Sequence, residues 1–410
     1  MHRCLLPTAY FTEDGDHMTL WMIEPRDPLL VRDGRPFDAS PGSRAQSLPF
    51  PLPSTLVGGL RHKAGLDASG AFDHARIAEI LTLQMRGPLL AEVDAERSSA
   101  AIRQLLFAAP ADALALESSD QHDALRLLQL APRELAGAAQ TNQPDGLALV
   151  GPQQRVAAKV SQAAPLFWHE AQFMAWLVAP QADQTLPGNT VGIGALLRDT
   201  RTHVSVQAAT QTAREGALFQ TRGLEFTWRD GGAQQQTGSF TTRRLALVAA
   251  LEHDGLPYAP PHFTGGLMPL AGERRLMHWM TIAQHLPDPP TDLFATICAT
   301  RRARVVLLTP GIFTAGYRPP LAWERGGVIA HLHAAAVPRA QVISGWDLAR
   351  GKPKPTRRMA PAGSVYFVTW PEGAEVAAWL AATWMQNVSD SEQDQRDGFG
   401  LAALGVWSPH

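Results

Sequence analysis

Residues 374–407, AEVAAWLAATWMQNVSDSEQDQRDGFGLAALGVW, decide the fold. Val376, Trp379, Leu380, Thr383 and Trp384 fall at offsets 0, 3, 4, 7 and 8, one face of an α-helix. The polar run SDSEQDQRD follows, then Gly398-Phe399-Gly400, then an apolar strand, LAALGVW. Helix, glycine loop and strand in that order close a βαββαβ, ferredoxin-like unit. The expected class is α+β.

Working outward, residues 343–367, ISGWDLARGKPKPTRRMAPAGSVYF, place Arg350, Lys352, Lys354, Arg357 and Arg358 within nine residues and no acid among them. Pro353, Pro355 and Pro361 remove backbone donors and fix φ, so this middle is expected to be a stiff, extended basic loop. The flanking runs, residues 341–346 and 363–369, carry the β-branched and aromatic residues that strands favour. A stiff basic loop between two strands suits a polyanion, and it equally suits solvent.

Nearer the start, MTLWMIEPRDPLLV (18–31) predicts a first strand bent near Pro25, followed by the turn RDGRPF with Arg32 and Arg35. The approach LPFPLP then leads into a helix to about Leu66, which Ser54 or Thr55 is placed to cap. Such a helix N-terminus offers free N–H groups to a phosphate, though ordinary capping accounts for it as well. Residues 74–85 predict an amphipathic helix, and residues 86–165 an insertion with short helices. THVSVQ (202–207) alternates as a strand, with Val204 and Val206 opposite His203, Ser205 and Gln207. Two strands around a Gly/Gln-rich turn predict a projecting hairpin at about 218–251, decorated by Arg222, Arg229, Arg243 and Arg244. HDGLPYAPPHF marks a boundary near residue 255, giving an N-terminal domain, 1–255, and a C-terminal domain, 256–410. In the second, 291–300 predicts a short helix and ARVVLL (303–308) a buried strand.

The chain's 410 residues are enough for two buried cores. Its 36 Lys and Arg against 38 Asp and Glu exclude a chain that binds nucleic acid through overall basicity; a local patch is needed. Cys4 and Cys298 are too few for a disulfide framework or a cysteine-based zinc site and fit a reducing, cytoplasmic setting. No signal-peptide pattern opens the sequence and no apolar run reaches the roughly 20 residues of a membrane span, so no membrane role is expected.

Chemistry is sparse. His331 and His333 lie two apart with no third ligand at ordinary spacing, so no metal is expected. There is no GxSxG elbow and no Walker loop, and no cofactor is expected. His203 beside Ser205 is the one candidate acid or base, although a polar strand face is an ordinary place for a histidine. What remains is a distributed set of glycine turns and arginines, including Gly272-Glu273-Arg274-Arg275, suited to holding anions and stacking on bases. Phe399 between two glycines can stack on a base or pack; Asp390, Glu392, Asp394 and Asp397 just before it oppose an attractive field.

Taken together, IEPRDPLLVRDGRPF, PFPLPSTLVGGLR, HVSVQAATQTAREGALFQTRGLEF, PLAGERR, VVLLTPGIF, the 343–367 stretch and GFGLAALGVW resemble the third subunit of the Cmr module, a RAMP-superfamily protein of type III-B CRISPR effector complexes. The resemblance runs nearly end to end and is weakest over 86–165. It implies two ferredoxin-like, RRM-like domains with insertions and no nuclease activity. It also implies a role in holding the 5′ repeat-derived tag of the crRNA and in docking the large polymerase/cyclase-like subunit. Further implied partners are the neighbouring backbone RAMP subunit and target RNA near the tag-proximal end, met by a thumb hairpin. The tag site expected on this basis joins Arg32, Arg35, Ser54, Thr55, Arg61 and His203 from the first domain. From the second it takes Arg274, Arg275, Lys352, Lys354, Arg357, Arg358, Gly398, Phe399 and Gly400. Two alternatives stand beside it: a metal-independent RAMP endoribonuclease that trims crRNA precursors through His203, and a subunit that touches only proteins.

Overall fold

Along the first strand Trp21 and Ile23 face one side and Leu20 and Met22 the other, and both sides are buried. A strand with two apolar faces has to lie between layers. The computed structural model describes residues 18–31, 44–67, 69–94, 101–118, 124–133, 143–144, 146–154, 156–180, 183–230, 241–252, 265–344, 346–347, 352–353 and 355–407. Within these, two antiparallel sheets repeat one strand order.

In the first half β1 (Met18–Pro25), α1 (Pro53–Ala64), β2 (Gln84–Val93), β3 (Thr241–Glu252) and β4 (Arg275–Ile282) pair in the order β4-β1-β3-β2. In the second half α2 (Leu293–Thr300) precedes β5 (Arg302–Leu307), β6 (Val328–Ala336), β7 (Val365–Thr369), α3 (Val376–Ala381) and β8 (Leu401–Val406), and the strands pair as β8-β5-β7-β6. Both are the strand order of a ferredoxin-like unit, so the α+β expectation holds. The halves differ in their first crossover. In the first half it is α1, whose Leu56, Val57 and Leu60 cover Trp21 and Ile23. In the second it is the non-helical stretch 308–327, and α2 lies beside α3 instead.

The other face of the first sheet, with Leu20, Met22, Leu89 and Val248, joins one continuous core with Val305, Tyr366 and Leu404 of the second. One buried ion pair ties the halves inside that core. Arg304 on β5 donates to the carbonyls of Val406 (2.7 Å) and Trp176 (2.6 Å) and to the carboxylate of Asp112, which also accepts from Trp176 Nε1 (3.1 Å). Neither ionic side chain touches solvent.

Several local expectations change. The described residues of 86–165 carry strands, not helices: β2, then Ile102–Ala108, Ala113–Glu117, Ala124–Arg133 and Leu149–Pro152. Their Leu/Ala content favours helix locally, but cross-strand partners decide the outcome. The helix expected over 74–85 is one 3₁₀ turn and the short helix Ile77–Ile80 before β2 begins. Either side of residues 231–240, Thr227–Asp230 pairs with Thr241–Arg244 as the expected hairpin requires, but residues 218–225 belong to a different and longer one. Leu197–Gln207 pairs with Thr212–Glu225 around residues 208–211, while β3 is a central strand with Leu245 to Leu251 buried. Arg243 and Arg244 accordingly pair with Glu92 and Glu24 of the same sheet. The boundary near 255 also moves, because β4 completes the first sheet by pairing with β1, placing the break after Ile282. On 202–207 the strand is as expected, with Val204 and Val206 exposed and His203 and Ser205 half-buried.

Candidate nucleic-acid interface

Three prolines, Pro49, Pro51 and Pro53, hold the approach to α1 extended, and Leu52 before Pro53 keeps ψ at 151°. Leu52 is therefore the N-cap and makes no side-chain cap bond, while Pro53 takes the first helical position. The expectation that Ser54 or Thr55 caps the helix is corrected; both stand half-buried inside its first turn.

Opposite this approach, the stretch expected to be a loop is a two-tier ribbon. Gln341–Ile343 pairs with Arg357–Met359, and Trp346–Asp347 with Lys352–Pro353. The prolines do not prevent this, because a two-stranded ribbon has outward edges on which a missing donor costs nothing. Pro-rich approach and ribbon base line one groove of about 790 Å³, whose walls include Pro49, Phe50, Leu52, Val342, Met359 and Pro361. Phe50 sits 5.4 Å from Phe167, ring centre to ring centre, at its floor. Two stretches singled out separately in the sequence thus meet. The groove's apolar lining was not anticipated; the alternation of Leu48, Phe50 and Leu52 with prolines was the available signal.

The charges near the ribbon are arranged differently from the expectation. Arg357 donates to both carboxylate oxygens of Asp394, at 2.8 and 2.9 Å. Arg61, in the last turn of α1, bonds Asp397 at 2.5 Å and the Leu83 carbonyl at 3.1 Å, with both ionic side chains largely buried. Asp390 accepts from the Thr314 N–H at 2.6 Å, and Glu392 pairs with Arg396. Two members of the acidic run, Asp394 and Asp397, thus hold Arg357 and Arg61 rather than oppose them from a distance. Arg358 is exposed and pairs with no acid among the described residues. It lines a second, smaller pocket of about 510 Å³ with Phe313, Thr314, Gly316, Arg357 and Asp390. Lys63, two residues after Arg61, has its pKa lowered by burial.

The glycine loop is interior. Phe399 is fully buried and packs on Ile312, Ile343, Met359 and Leu52, so the expectation of a stacking face is corrected. Gly398 has φ +94°, and a Cβ there would lie 2.6 Å from the Gly87 carbonyl oxygen. Only glycine combines that backbone with that approach. The loop seals β2 to the second half; it presents no backbone cradle.

The remaining expected residues scatter. His203 is on the long hairpin, 2.9 Å from Thr221 Oγ1 and stacked on Phe219 at 5.1 Å. Arg275 pairs with Glu273 at 2.8 Å, and Arg274 is exposed beside it. Arg32, Arg35 and Lys354 lie outside the described residues, and of Lys352 only the backbone pairing with Asp347 is described. Among the described residues no cluster of His, Cys, Asp or Glu is arranged to hold a metal ion, and no helix is long and apolar enough to cross a membrane.

Compared with known proteins, residues 21–407 match the profile of the CRISPR-associated protein family Cas_Cmr3. No curated protein matches. Among solved structures, a chain of the type III-B Cmr-beta bound to cognate target RNA and AMPPnP is 14% identical with a TM-score of 0.44, covering 85% of this chain and 86% of that one. A chain of the type III-B Cmr-beta bound to cognate target RNA is 15% identical, at TM-score 0.43 and the same coverage.

Proposed function

We propose, because the chain belongs to the Cas_Cmr3 family of CRISPR-associated proteins, that it is a non-catalytic subunit of a type III-B effector and holds the 5′ tag of the crRNA in the groove between its two halves. The single observation that carries this is the meeting of the Pro-rich approach and the basic ribbon on one apolar groove. A short single strand with unstacked bases needs apolar surface for base faces and cations beside it for phosphates. Arg358 supplies such a cation, with Arg357 released to RNA from Asp394. Lys352 and Lys354 of the ribbon, and Arg32 and Arg35 after the first strand, extend the basic wall. Ser54 and Thr55 serve at the start of α1. Arg61, Gly398, Phe399 and Gly400 act on the fold and not on the RNA. The protein partners in this reading are the large polymerase/cyclase-like subunit and the neighbouring backbone subunit, with target RNA near the tag-proximal end.

The test is a crRNA with photoreactive bases in its tag, crosslinked in the assembled complex. Crosslinks should fall on residues 48–55 and 341–362. Arg358→Ala should lower affinity for tagged crRNA by about tenfold and flatten the salt dependence by about one phosphate contact. Crosslinks elsewhere in the chain, together with an unchanged salt slope, would remove the groove from the tag site.

A further inference from the structure

Ser47 commits every polar group it has to three separate segments. Its N–H donates to the Arg222 carbonyl (3.2 Å), and its own carbonyl accepts from Arg198 Nη1 (2.8 Å). Its Oγ accepts from the Val31 N–H and donates to the Leu29 carbonyl, both at 3.1 Å. The residue is 5% exposed. Arg198 and Arg222 belong to the two strands of the long hairpin, Leu197–Gln207 and Thr212–Glu225, while Leu29 and Val31 follow β1. Just before Ser47, residues 44–46 run parallel to residues 220–222 of that hairpin. Just after it, the Pro-rich wall of the groove begins.

The hairpin's other root lies under the same groove. Phe167, at the floor, pairs with Ile193 shortly before Leu197 opens the hairpin, and the Leu166 N–H donates to the Ile193 carbonyl (2.9 Å). Wall and floor are thus each joined to one hairpin strand. Farther out, among the described residues, 204–218 bond only one another. Prolines at 49, 51 and 53 fix φ through the wall, so a shift at Ser47 reaches Phe50 instead of being absorbed on the way. A continuous run of bonds through stiff backbone is the kind of path that carries coupling between two sites.

We infer that Ser47, held by Arg198, is a positioning residue that ties the groove wall to the root of the long hairpin, so that a strand seated in the groove also steadies the hairpin. A buried hydroxyl with both a donor and an acceptor partner is costly to remove, because each partner is left unpaired. Losing it therefore loosens the segment 29–31, the wall and the hairpin root together. Arg198 acts here through the Ser47 carbonyl and not as a phosphate contact. The inference rests on the reading of the groove as the tag site, and adds to it that the hairpin responds when the groove is filled.

The experiment follows hydrogen exchange of the full chain, free and with tagged crRNA, beside crRNA affinity at several salt concentrations. In the free chain, Ser47→Ala and Arg198→Met should each quicken exchange at Leu48, whose N–H is bonded to the Val31 carbonyl, and at residues 220–224 together. Tagged crRNA should slow residues 197–203 and 219–225 of the parent several-fold, and Ser47→Ala should lose most of that slowing. Arg198→Met should weaken crRNA binding about fivefold with the salt slope unchanged, whereas loss of a phosphate contact lowers the slope by about one. Arg198→Lys, which keeps a donor for the Ser47 carbonyl, should restore most of the affinity. Thermal melting checks the fold, and if Ser47→Ala does not fold, Arg198→Met carries the same comparisons. Quickening at only one of the two places, a lowered salt slope, or no rescue by lysine overturns the inference. Unchanged hairpin exchange while the tag crosslinks to residues 48–55 also overturns it and leaves the tag reading standing. Crosslinks elsewhere, with hairpin exchange unchanged, overturn both.

Discussion

Arg304 and Arg357 each meet an aspartate from a distant part of the chain, one pair sealed in the core and the other at the surface. Arg304 and Asp112 are both wholly buried, and the Arg304 guanidinium is further bonded to the carbonyls of Val406, Trp176 and Leu177. Arg357 has nearly half its side chain in solvent and meets Asp394 through one nitrogen. Between them stands Arg61 with Asp397, each about one-tenth exposed. The same two residue types therefore fasten the fold at one end of this series and leave a cation exchangeable at the other. What separates them is desolvation: an ion pair out of water cannot lose one partner cheaply, while a wet pair is worth little to stability.

The largest effect should come from breaking the sealed pair. Arg304→Met leaves Asp112 charged and buried, with Trp176 its one side-chain bond among the described residues, and should cost about 3–5 kcal/mol. Urea unfolding of the purified chain measures it as a lower midpoint with little change in slope. Adding Asp112→Leu should return a large part of the loss, because no buried charge then remains. A single variant as stable as the parent would mean that the pair is not sealed.

That pair also marks what the sequence could and could not convey. Ferredoxin-like ends were legible, since Val376, Trp379 and Leu380 sit at helical spacing and LAALGVW is a buried strand. So was the ribbon's importance, through its prolines and cations. Arg304 was hidden inside ARVVLL, where a single charge in an apolar strand gave no partner, and Asp112 lies 192 positions away. Nothing local in residues 86–165 signalled strands, because Leu and Ala serve both structures and the pairing partners are non-local. The groove was half legible: its two walls were each singled out, their meeting was not. The acidic run before Gly398 looked like an obstacle to RNA only because its partners Arg61 and Arg357 are far away in sequence.

An intermediate effect is expected at Arg61. Arg61→Ala removes the bond to Asp397 and the donor to the Leu83 carbonyl, and should cost about 1.5–3 kcal/mol, the range for hydrogen bonds to charged groups. Asp397 keeps Gln393 Nε2 at 2.8 Å, which softens the loss relative to Asp112. Since Arg61 joins α1 to the loop before Gly398, hydrogen exchange should quicken in residues 391–398 before it quickens in β8. If stability is unchanged and crRNA affinity drops instead, Arg61 belongs with the surface cations and the ordering proposed above fails between its first and third members.

The smallest stability change and the clearest functional one belong to Arg357. Arg357→Ala should shift unfolding by no more than about 1 kcal/mol, because the pair is half in water. In the tag reading, Asp394 competes with RNA for this guanidinium. Removing the competitor's charge, Asp394→Asn, should then tighten tagged crRNA binding by a few-fold at low salt, and Arg357→Ala should loosen it. The two changes have to be coupled: with alanine at 357, Asp394→Asn loses its effect, since there is no cation left to release. A general effect of removing one negative charge near RNA would instead persist in the double variant, and would fall away equally in both backgrounds as salt screens it. The double-variant cycle, run at two salt concentrations, therefore separates an arginine held in reserve from one that merely belongs to the surface.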